Sequence, residues 1–179
     1  VYNGVDLKRF HPDNKNTYRK LIREKLGIPE GSNLILFVGS GFERKGLQFL
    51  LQSTAYLKDK NWRLLLMGKG KFEKYMRFAP ADKRTQIIAK EPDPEIEKYY
   101  AAADIFILPS IYEPFGNANL EALATGLPVV TTEYCGAADI INDKKNGLVV
   151  KDPFNPEEIA EKIRYLFTPS TREKIGENA

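Results

Sequence analysis

Residues 104–132 read DIFILPSIYEPFGNANLEALATGLPVVTT, and this stretch indicates the fold class of the chain. Two short apolar segments, residues 104–108 and 128–132, are each typical of a buried strand. Residues 117–125 lie between them and are rich in alanine and leucine, which favours a helix that begins after Gly116. A strand, a helix and a second strand in this order form a βαβ unit, so we expect the two strands to be parallel.

The same alternation continues along the rest of the chain. Further strands are predicted at residues 33–38, 62–67, 85–89 and 147–150. Further helices are predicted at residues 47–57, 71–78, 94–103, 137–142 and 156–167, the last with Asn155 as its N-cap. Strands that alternate with helices in this way predict an α/β domain with a doubly wound, mainly parallel, six-stranded Rossmann-like sheet.

Composition and charge place the chain among ordinary globular proteins. Its 179 residues fit one domain, and the net charge of +3, without a dense basic run, gives no indication of a nucleic-acid partner. No apolar run is long enough to span a bilayer. A mildly basic segment is predicted to form the solvated face of a helix and contains Lys15, Arg19, Lys20, Arg23 and Lys25.

The chain has one cysteine, Cys135, and one histidine, His11. This count excludes an internal disulfide and a Cys/His zinc site, and it indicates a reducing, cytosolic compartment. We expect Cys135 to be a small buried residue and His11 to lie at the surface. The chain begins with Val1, so we expect it to be a piece of a longer protein.

Three loops follow predicted strands and carry polar or glycine-rich sequence. They comprise residues 39–46 (GSGFERKG), residues 68–70 (GKG) and residues 110–116 (SIYEPFG). In parallel sheets, ligands bind beyond the carboxyl ends of the strands. Because all three loops lie at those ends, we expect them to form one binding site.

The first loop is suited to a diphosphate. The backbone at Gly39, Ser40 and Gly41 can approach a ligand closely, and Arg44 and Lys45 supply charge-assisted hydrogen bonds. The loop is not a Walker A motif, because the Lys-Ser/Thr pair is missing after its last glycine. It also lacks the third glycine of the dinucleotide fingerprint. A solvent-exposed turn is the alternative.

Two carboxylates, Glu113 and Glu121, flank the start of the helix that follows the third loop. The N–H groups at a helix start, here around Gly116, Asn117 and Ala118, together with the positive end of the helix dipole, attract phosphate. Helical side chains tilt toward the N-terminus, so Glu121 leans back toward this site. Carboxylates accept hydrogen bonds from hydroxyls, so we expect each acid to hold a sugar, one on either side of the phosphates. The alternative is that both are ordinary surface residues.

The string Glu-Pro-Phe-Gly, followed by Glu-Ala-Leu-Ala-x-Gly-x-Pro-Val-Val with seven residues between the two acids, resembles the donor-binding motif of family 4 retaining glycosyltransferases, which have the two-domain GT-B fold. Among them, the bacterial lipopolysaccharide core glucosyltransferases have the motifs that are most similar to those of this sequence. Further segments that match are residues 3–6 (Asn-Gly-Val-Asp) with Phe10 and Pro12, residues 37–46, residues 100–104, Thr131 with Thr132, Cys135 with Gly136, and residues 146–148.

This resemblance implies a role for each site residue. Arg44 and Lys45 would neutralise the donor diphosphate, Glu121 would bind the ribose and Glu113 the transferred sugar. Backbone N–H groups of Phe115, Gly116 and Asn117 would hold sugar and phosphate, and the loop of Lys90, Glu91 and Pro92 would face the base. Two departures are that Ser40 stands where many relatives have arginine and that Cys135 replaces a second glycine.

The resemblance also implies the reaction. A hexose, which we expect to be glucose from UDP-glucose, would move with retention to a glycan or lipopolysaccharide core acceptor, with neither metal nor other cofactor. Residues 1–30 would form an interdomain linker and a first helix, and residues 31–179 the nucleotide-sugar-binding domain. The acceptor-binding N-terminal domain is absent, so the fragment should be nearly inactive. The whole protein would be cytoplasmic, and peripheral contact with the inner face of the plasma membrane is left open.

Three other classes of protein remain open on the same architecture. A sugar-nucleotide epimerase, or a non-catalytic nucleotide-binding Rossmann module, would use a similar sheet and similar loops. A dinucleotide-dependent oxidoreductase is a third possibility, and the missing glycine fingerprint argues against it.

Overall fold

The computed structural model describes residues 4–179, so Asn3 of the expected interdomain segment lies outside the described residues. The six strands form one sheet in the order β3-β2-β1-β4-β5-β6, and every pairing is parallel. The strands are β1 Asn33–Val38, β2 Trp62–Met67, β3 Ile87–Lys90, β4 Ile105–Leu108, β5 Val129–Thr132 and β6 Gly147–Val150. The predicted doubly wound α/β class is confirmed, with the order reversing between β1 and β4, where such sheets bind ligands.

Seven α-helices accompany the sheet within residues 4–179. They are α1 Asn14–Lys25, α2 Leu47–Ser53, α3 Glu73–Met76, α4 Ile96–Ala102, α5 Asn117–Ala124, α6 Pro156–Tyr165 and α7 Pro169–Glu177. Short 3-10 helices span Thr54–Tyr56, Ala81–Gln86 and Gly136–Ile140. The predicted cap of α6 is confirmed, because Oδ1 of Asn155 accepts from the N–H groups of Glu157 and Glu158.

Some sequence-based boundaries are wrong, and one helix was missed. The predicted helix at residues 47–57 is α-helical only as far as Ser53, and a 3-10 turn follows. The predicted strand at residues 85–89 begins instead at Ile87, because Gln86 belongs to a 3-10 helix and its amide donates to the carbonyls of Lys60 and Trp62. Helix α7 was not predicted. No helix within residues 4–179 is both long and apolar enough to cross a membrane.

The basic segment of α1 corrects a further prediction. Arg19 and Arg23 contact the carboxylate of Asp104 at 2.6 and 3.1 Å, and Lys15 donates to the carbonyl of Gly126 at 2.9 Å. These three side chains attach α1 to the amino-terminal edge of the sheet and are not a solvated face. The prediction of solvated side chains is correct for the other two cations of the segment, Lys20 and Lys25, which are exposed.

Asp104 is the centre of this attachment. Its side chain is 6% exposed, and it also accepts from the backbone N–H of Leu34 at 2.7 Å. Burial raises the pKa of the Asp104 carboxyl, but the charge of Arg19, the N–H of Leu34 and the charge of Arg23 together hold that pKa below its usual value. One buried carboxylate therefore joins α1, β1 and the start of β4.

Candidate functional site

Loops that follow different strands interlock at the carboxyl edge of the sheet. Gly46 starts α2 with a φ of 69°, and a Cβ there would lie 2.0 Å from the carbonyl oxygen of Pro109. A Cβ on Gly136 would lie 2.2 Å from the carbonyl oxygen of Pro114. Both glycines are therefore required for backbone to pack on backbone. The loops after β1 and β5 meet the loop after β4, as expected for a shared site.

An ionic cluster joins the first of these loops to the loop after β4. Lys45 Nζ lies 2.9 Å and Arg44 Nη1 3.2 Å from Oε2 of Glu113, and Arg44 also donates to the carbonyl of Tyr112. The side chains of Lys45 and Glu113 are 13% and 11% exposed, whereas that of Arg44 is 45% exposed. Three of the residues predicted for the site are thus brought into direct contact.

The surroundings of Glu113 keep it ionised. Burial raises the pKa of its carboxyl, but the hydrogen bonds and charges of Lys45 and Arg44 outweigh burial and leave the pKa below its usual value. The backbone of Glu113 is fixed as well, because its N–H donates to the carbonyl of Tyr134 and its carbonyl accepts from the N–H of Gly136. The site therefore presents a rigidly placed carboxylate beside two cations.

The start of α5 lies where the sequence places it. Gly116 is the N-cap in the left-handed conformation, with a φ of 80°, and a Cβ there would lie 2.7 Å from Sγ of Cys135. Asn117 and Ala118 form the first turn, and Phe115 precedes the cap. The close approach explains why glycine occupies position 116.

Cys135 is buried, as predicted, and burial raises the pKa of its thiol. The amide of Asn119 donates to its sulfur at 3.2 Å. A neutral, buried thiol beside a glycine is a packing group rather than a nucleophile. The contact with Asn119 could not be found from the sequence, because an asparagine in the first turn of a helix is ordinary.

Glu121 is held by a residue that sequence reasoning recognised only as part of the family resemblance. The hydroxyl of Tyr100 donates to Oε2 of Glu121 at 2.7 Å. Tyr100 is fully buried, and its ring contacts Phe10 edge-on and stacks on Phe106. Burial raises the pKa of the Glu121 carboxyl, although the hydrogen bond from Tyr100 and the charge of Arg9 act in the opposite direction.

The loop of Gly39, Ser40 and Gly41 is connected to the loop after β2. Oγ of Ser40 accepts from the N–H of Lys69 at 2.9 Å, so these two predicted loops do meet. Phe42 is buried beneath them and stacks on Phe72 with ring centroids 4.4 Å apart. The buried role of Phe42 was not predicted, although an aromatic residue inside a glycine-rich loop could have indicated it.

The loop of Lys90, Glu91 and Pro92 lies at the same edge but on the outermost strand. Strands β2 and β1 separate β3 from β4, so three inter-strand spacings, about 14 Å, divide this loop from the Glu113 loop. Lys90 Nζ lies 3.5 Å from Asp93 and 5.5 Å from the ring centroid of Tyr99. Glu91 and Pro92 are exposed.

Comparison with known proteins assigns the sequence to a family. The family described as "Glycosyl transferases group 1" matches residues 18–179 of this chain. The lipopolysaccharide glucosyltransferase WaaG of Escherichia coli (strain K12) is 35% identical over 181 residues, which cover 98% of this chain and 48% of that protein. The chain thus spans about half the length of the curated relatives that it matches.

Solved structures agree with this assignment. The crystal structure of WaaG has a TM-score of 0.75 at 34% identity, over 94% of this chain and 48% of that chain. The C-terminal domain of LpcC from Francisella tularensis has a TM-score of 0.81 at 28% identity, over 98% of this chain and 94% of that domain. HepE of Anabaena, solved with UDP-glucose, shares the fold, with a TM-score of 0.83 at 21% identity over 99% of this chain and 50% of that one.

Proposed function

This chain belongs to the glycosyl transferases of group 1, and on that premise we propose that it is the donor-binding domain of a retaining glycosyltransferase. The intact enzyme would move glucose from UDP-glucose to a glycan or lipopolysaccharide core acceptor. One observation carries the proposal: two carboxylates with different supports flank the start of α5. Glu113 is held by Lys45 and Arg44, and Glu121 by Tyr100.

The phosphates would bind between these two acids. Arg44, Lys45 and the N–H groups at the start of α5 would carry the diphosphate of the donor. In the transition state negative charge grows on the leaving phosphate, and these groups would stabilise it without a metal ion. The departing phosphate would then accept the proton of the acceptor hydroxyl on the same face of the sugar, which retains the anomeric configuration.

Each of the two acids, Glu121 and Glu113, would then bind hydroxyls of a different sugar. The bond from Tyr100 occupies Oε2 of Glu121, so Oε1 is the atom that we expect to accept a ribose hydroxyl. Glu113, which its neighbours keep ionised, would accept hydroxyls of the transferred hexose. The loop at Lys90, about 14 Å from the Glu113 loop by strand spacing, would cover the base at the other end of the donor.

Relatives support the finer parts of this proposal. WaaG, named as a lipopolysaccharide glucosyltransferase, supports both glucose and the acceptor class. HepE supports only the capacity of this fold to hold UDP-glucose. Since the relatives are about twice as long, we propose that the missing half binds the acceptor and that the fragment alone transfers almost no sugar. The intact protein would act in the cytoplasm, at the inner face of the plasma membrane.

Calorimetry with UDP tests the proposal. Glu121→Ala should weaken UDP binding by roughly 10- to 150-fold, the equivalent of one hydrogen bond to a charged group. Glu113→Ala should not weaken UDP binding, because it removes a competitor of the phosphates for Lys45 and Arg44, yet it should lower turnover of the two-domain protein by about 100-fold or more, because the sugar is no longer positioned. The exposed Glu24→Ala is the matched control. Equal loss of UDP affinity in both site variants would contradict the assignment of the acids, and wild-type protein that binds no UDP would overturn the function.

A further inference from the structure

Two adjoining cavities open near the loop that follows β1, and Arg44 lines the first of them. One has a volume of about 570 Å³ and the other about 390 Å³, within the range of ligand pockets. They share Glu43, Tyr75 and Ile111 as lining residues, so they form one continuous groove, named here the Tyr75 groove. The outer half of this groove extends to Lys74, Arg77 and Phe154, which lie outside the proposed donor site.

The walls of the Tyr75 groove are aromatic and held in place. Tyr75 packs edge-on against the buried Phe42, with ring centroids 5.5 Å apart. Phe154 is 55% exposed and packs edge-on against Phe49, with centroids 5.2 Å apart. Aromatic rings fixed in this way can pack against the C–H face of a sugar ring with little loss of side-chain freedom on binding.

The charge of the groove favours a negatively charged ligand. Its lining contains three cations, Arg44, Lys74 and Arg77, and one carboxylate, Glu43. The guanidinium of Arg77 lies over the ring of Phe78, 4.9 Å from its centroid, which fixes one cation at the outer end. Concentrated positive charge in a concave surface attracts anions and raises their local concentration.

The groove is continuous with the proposed donor site. Arg44 lines it and also contacts Glu113, the acid proposed to hold the transferred sugar. We propose that the Tyr75 groove binds an anionic sugar unit of the acceptor glycan, adjacent to the unit that receives the hexose. This inference rests on the proposed function and adds a second acceptor contact on the donor-binding domain itself.

Steady-state kinetics of the intact two-domain protein test the groove, with de-O-acylated lipopolysaccharide as acceptor. The Lys74→Ala/Arg77→Ala double variant should raise the acceptor KM by about tenfold and leave kcat and UDP affinity within about twofold. Phe154→Ala, which changes no charge, should raise the same KM by at least about threefold. The matched control is Lys20→Ala/Lys25→Ala, which removes the same charge from the exposed face of α1 and should leave KM unchanged.

The outcomes separate the groove from the proposed function. If the double variant and its control raise KM to the same extent, net charge is the only effect and the groove is overturned. If Phe154→Ala and the double variant both keep the wild-type KM while UDP-glucose still binds, the groove is again overturned and the donor site stands. A wild-type protein that neither binds UDP-glucose nor transfers sugar overturns the function on which the groove depends.

Discussion

Replacing Tyr100 with phenylalanine removes one hydroxyl from the candidate site. That hydroxyl donates to Glu121 at 2.7 Å and lies 3.3 Å from the carbonyl oxygen of Ala118, while the ring keeps its packing against Phe10 and Phe106. Because no cavity opens, the expected loss is that of one hydrogen bond to a charged group, about 1.5–3 kcal/mol of unfolding free energy. For a chain of this length, that loss lowers the melting temperature by roughly 3–12 °C.

The same substitution should weaken nucleotide binding. Without the hydroxyl, the carboxylate of Glu121 is no longer held in one orientation, and its pKa rises further because a hydrogen bond that lowers it is lost. We expect UDP affinity to fall by about tenfold, which corresponds to about 1.4 kcal/mol. Urea denaturation measures the first effect and calorimetry the second.

Tyr18→Phe is the control, since this tyrosine lies on α1, where its ring faces Lys98, away from the residues proposed to bind the nucleotide. Its UDP affinity should equal that of the wild type. A double-mutant cycle between Tyr100→Phe and Glu121→Ala then tests the interaction itself. If the two losses of stability simply add, Tyr100 and Glu121 do not interact, and the reasoning is refuted.

Three further perturbations follow from the same contacts. Arg44→Ala and Lys45→Ala should each weaken UDP binding several-fold in calorimetry, and wild-type affinity should fall as salt rises; full affinity in both variants would make this loop a mere turn. Asp104→Asn should lower the unfolding free energy by about 3–5 kcal/mol in urea denaturation. Because the folded pKa of Asp104 is lowered, this difference should be constant above about pH 5 and shrink as the pH falls through that pKa. Gly46→Ala should cost more stability in the same assay than Gly31→Ala, because both have positive φ but only the former Cβ would meet backbone; equal costs would argue against the close approach.

The sequence predicted the strands well because each is a short apolar run bounded by polar residues, glycine or proline. It could not supply the order of the strands, which depends on which face each crossover helix covers. Helix α7 escaped prediction because Ile175 is its only buried residue and its periodicity is therefore weak. Thr85 and Gln86 end the 3-10 helix before β3 and were predicted as strand, because the carbonyls that bind the Gln86 amide, those of Lys60 and Trp62, are 26 and 24 positions away.

The sequence was sufficient to predict which loops lie together at the candidate site. Parallel strands bring all their carboxyl ends to one edge, so the loops could be grouped from the chain alone. The pairing of Lys45 with Glu113 joins residues 68 positions apart, and that of Tyr100 with Glu121 joins residues 21 apart. Side-chain partners at such distances have no signature in local sequence. The same reason made Arg19 and Arg23 look like surface residues, since their partner, Asp104, is more than 80 positions away.

The ionic cluster at Glu113 has a consequence for which ligands the protein accepts. Lys45 and Arg44 already have an anionic partner in Glu113, so at the proposed donor site an incoming phosphate would compete with a carboxylate of the protein itself. A bare phosphate that displaces Glu113 leaves that acid facing a second negative charge. A nucleotide sugar brings hydroxyls for the released carboxylate together with phosphates for the cations. Competition from within the chain would therefore discriminate against inorganic anions, which bring no hydroxyls for the released carboxylate.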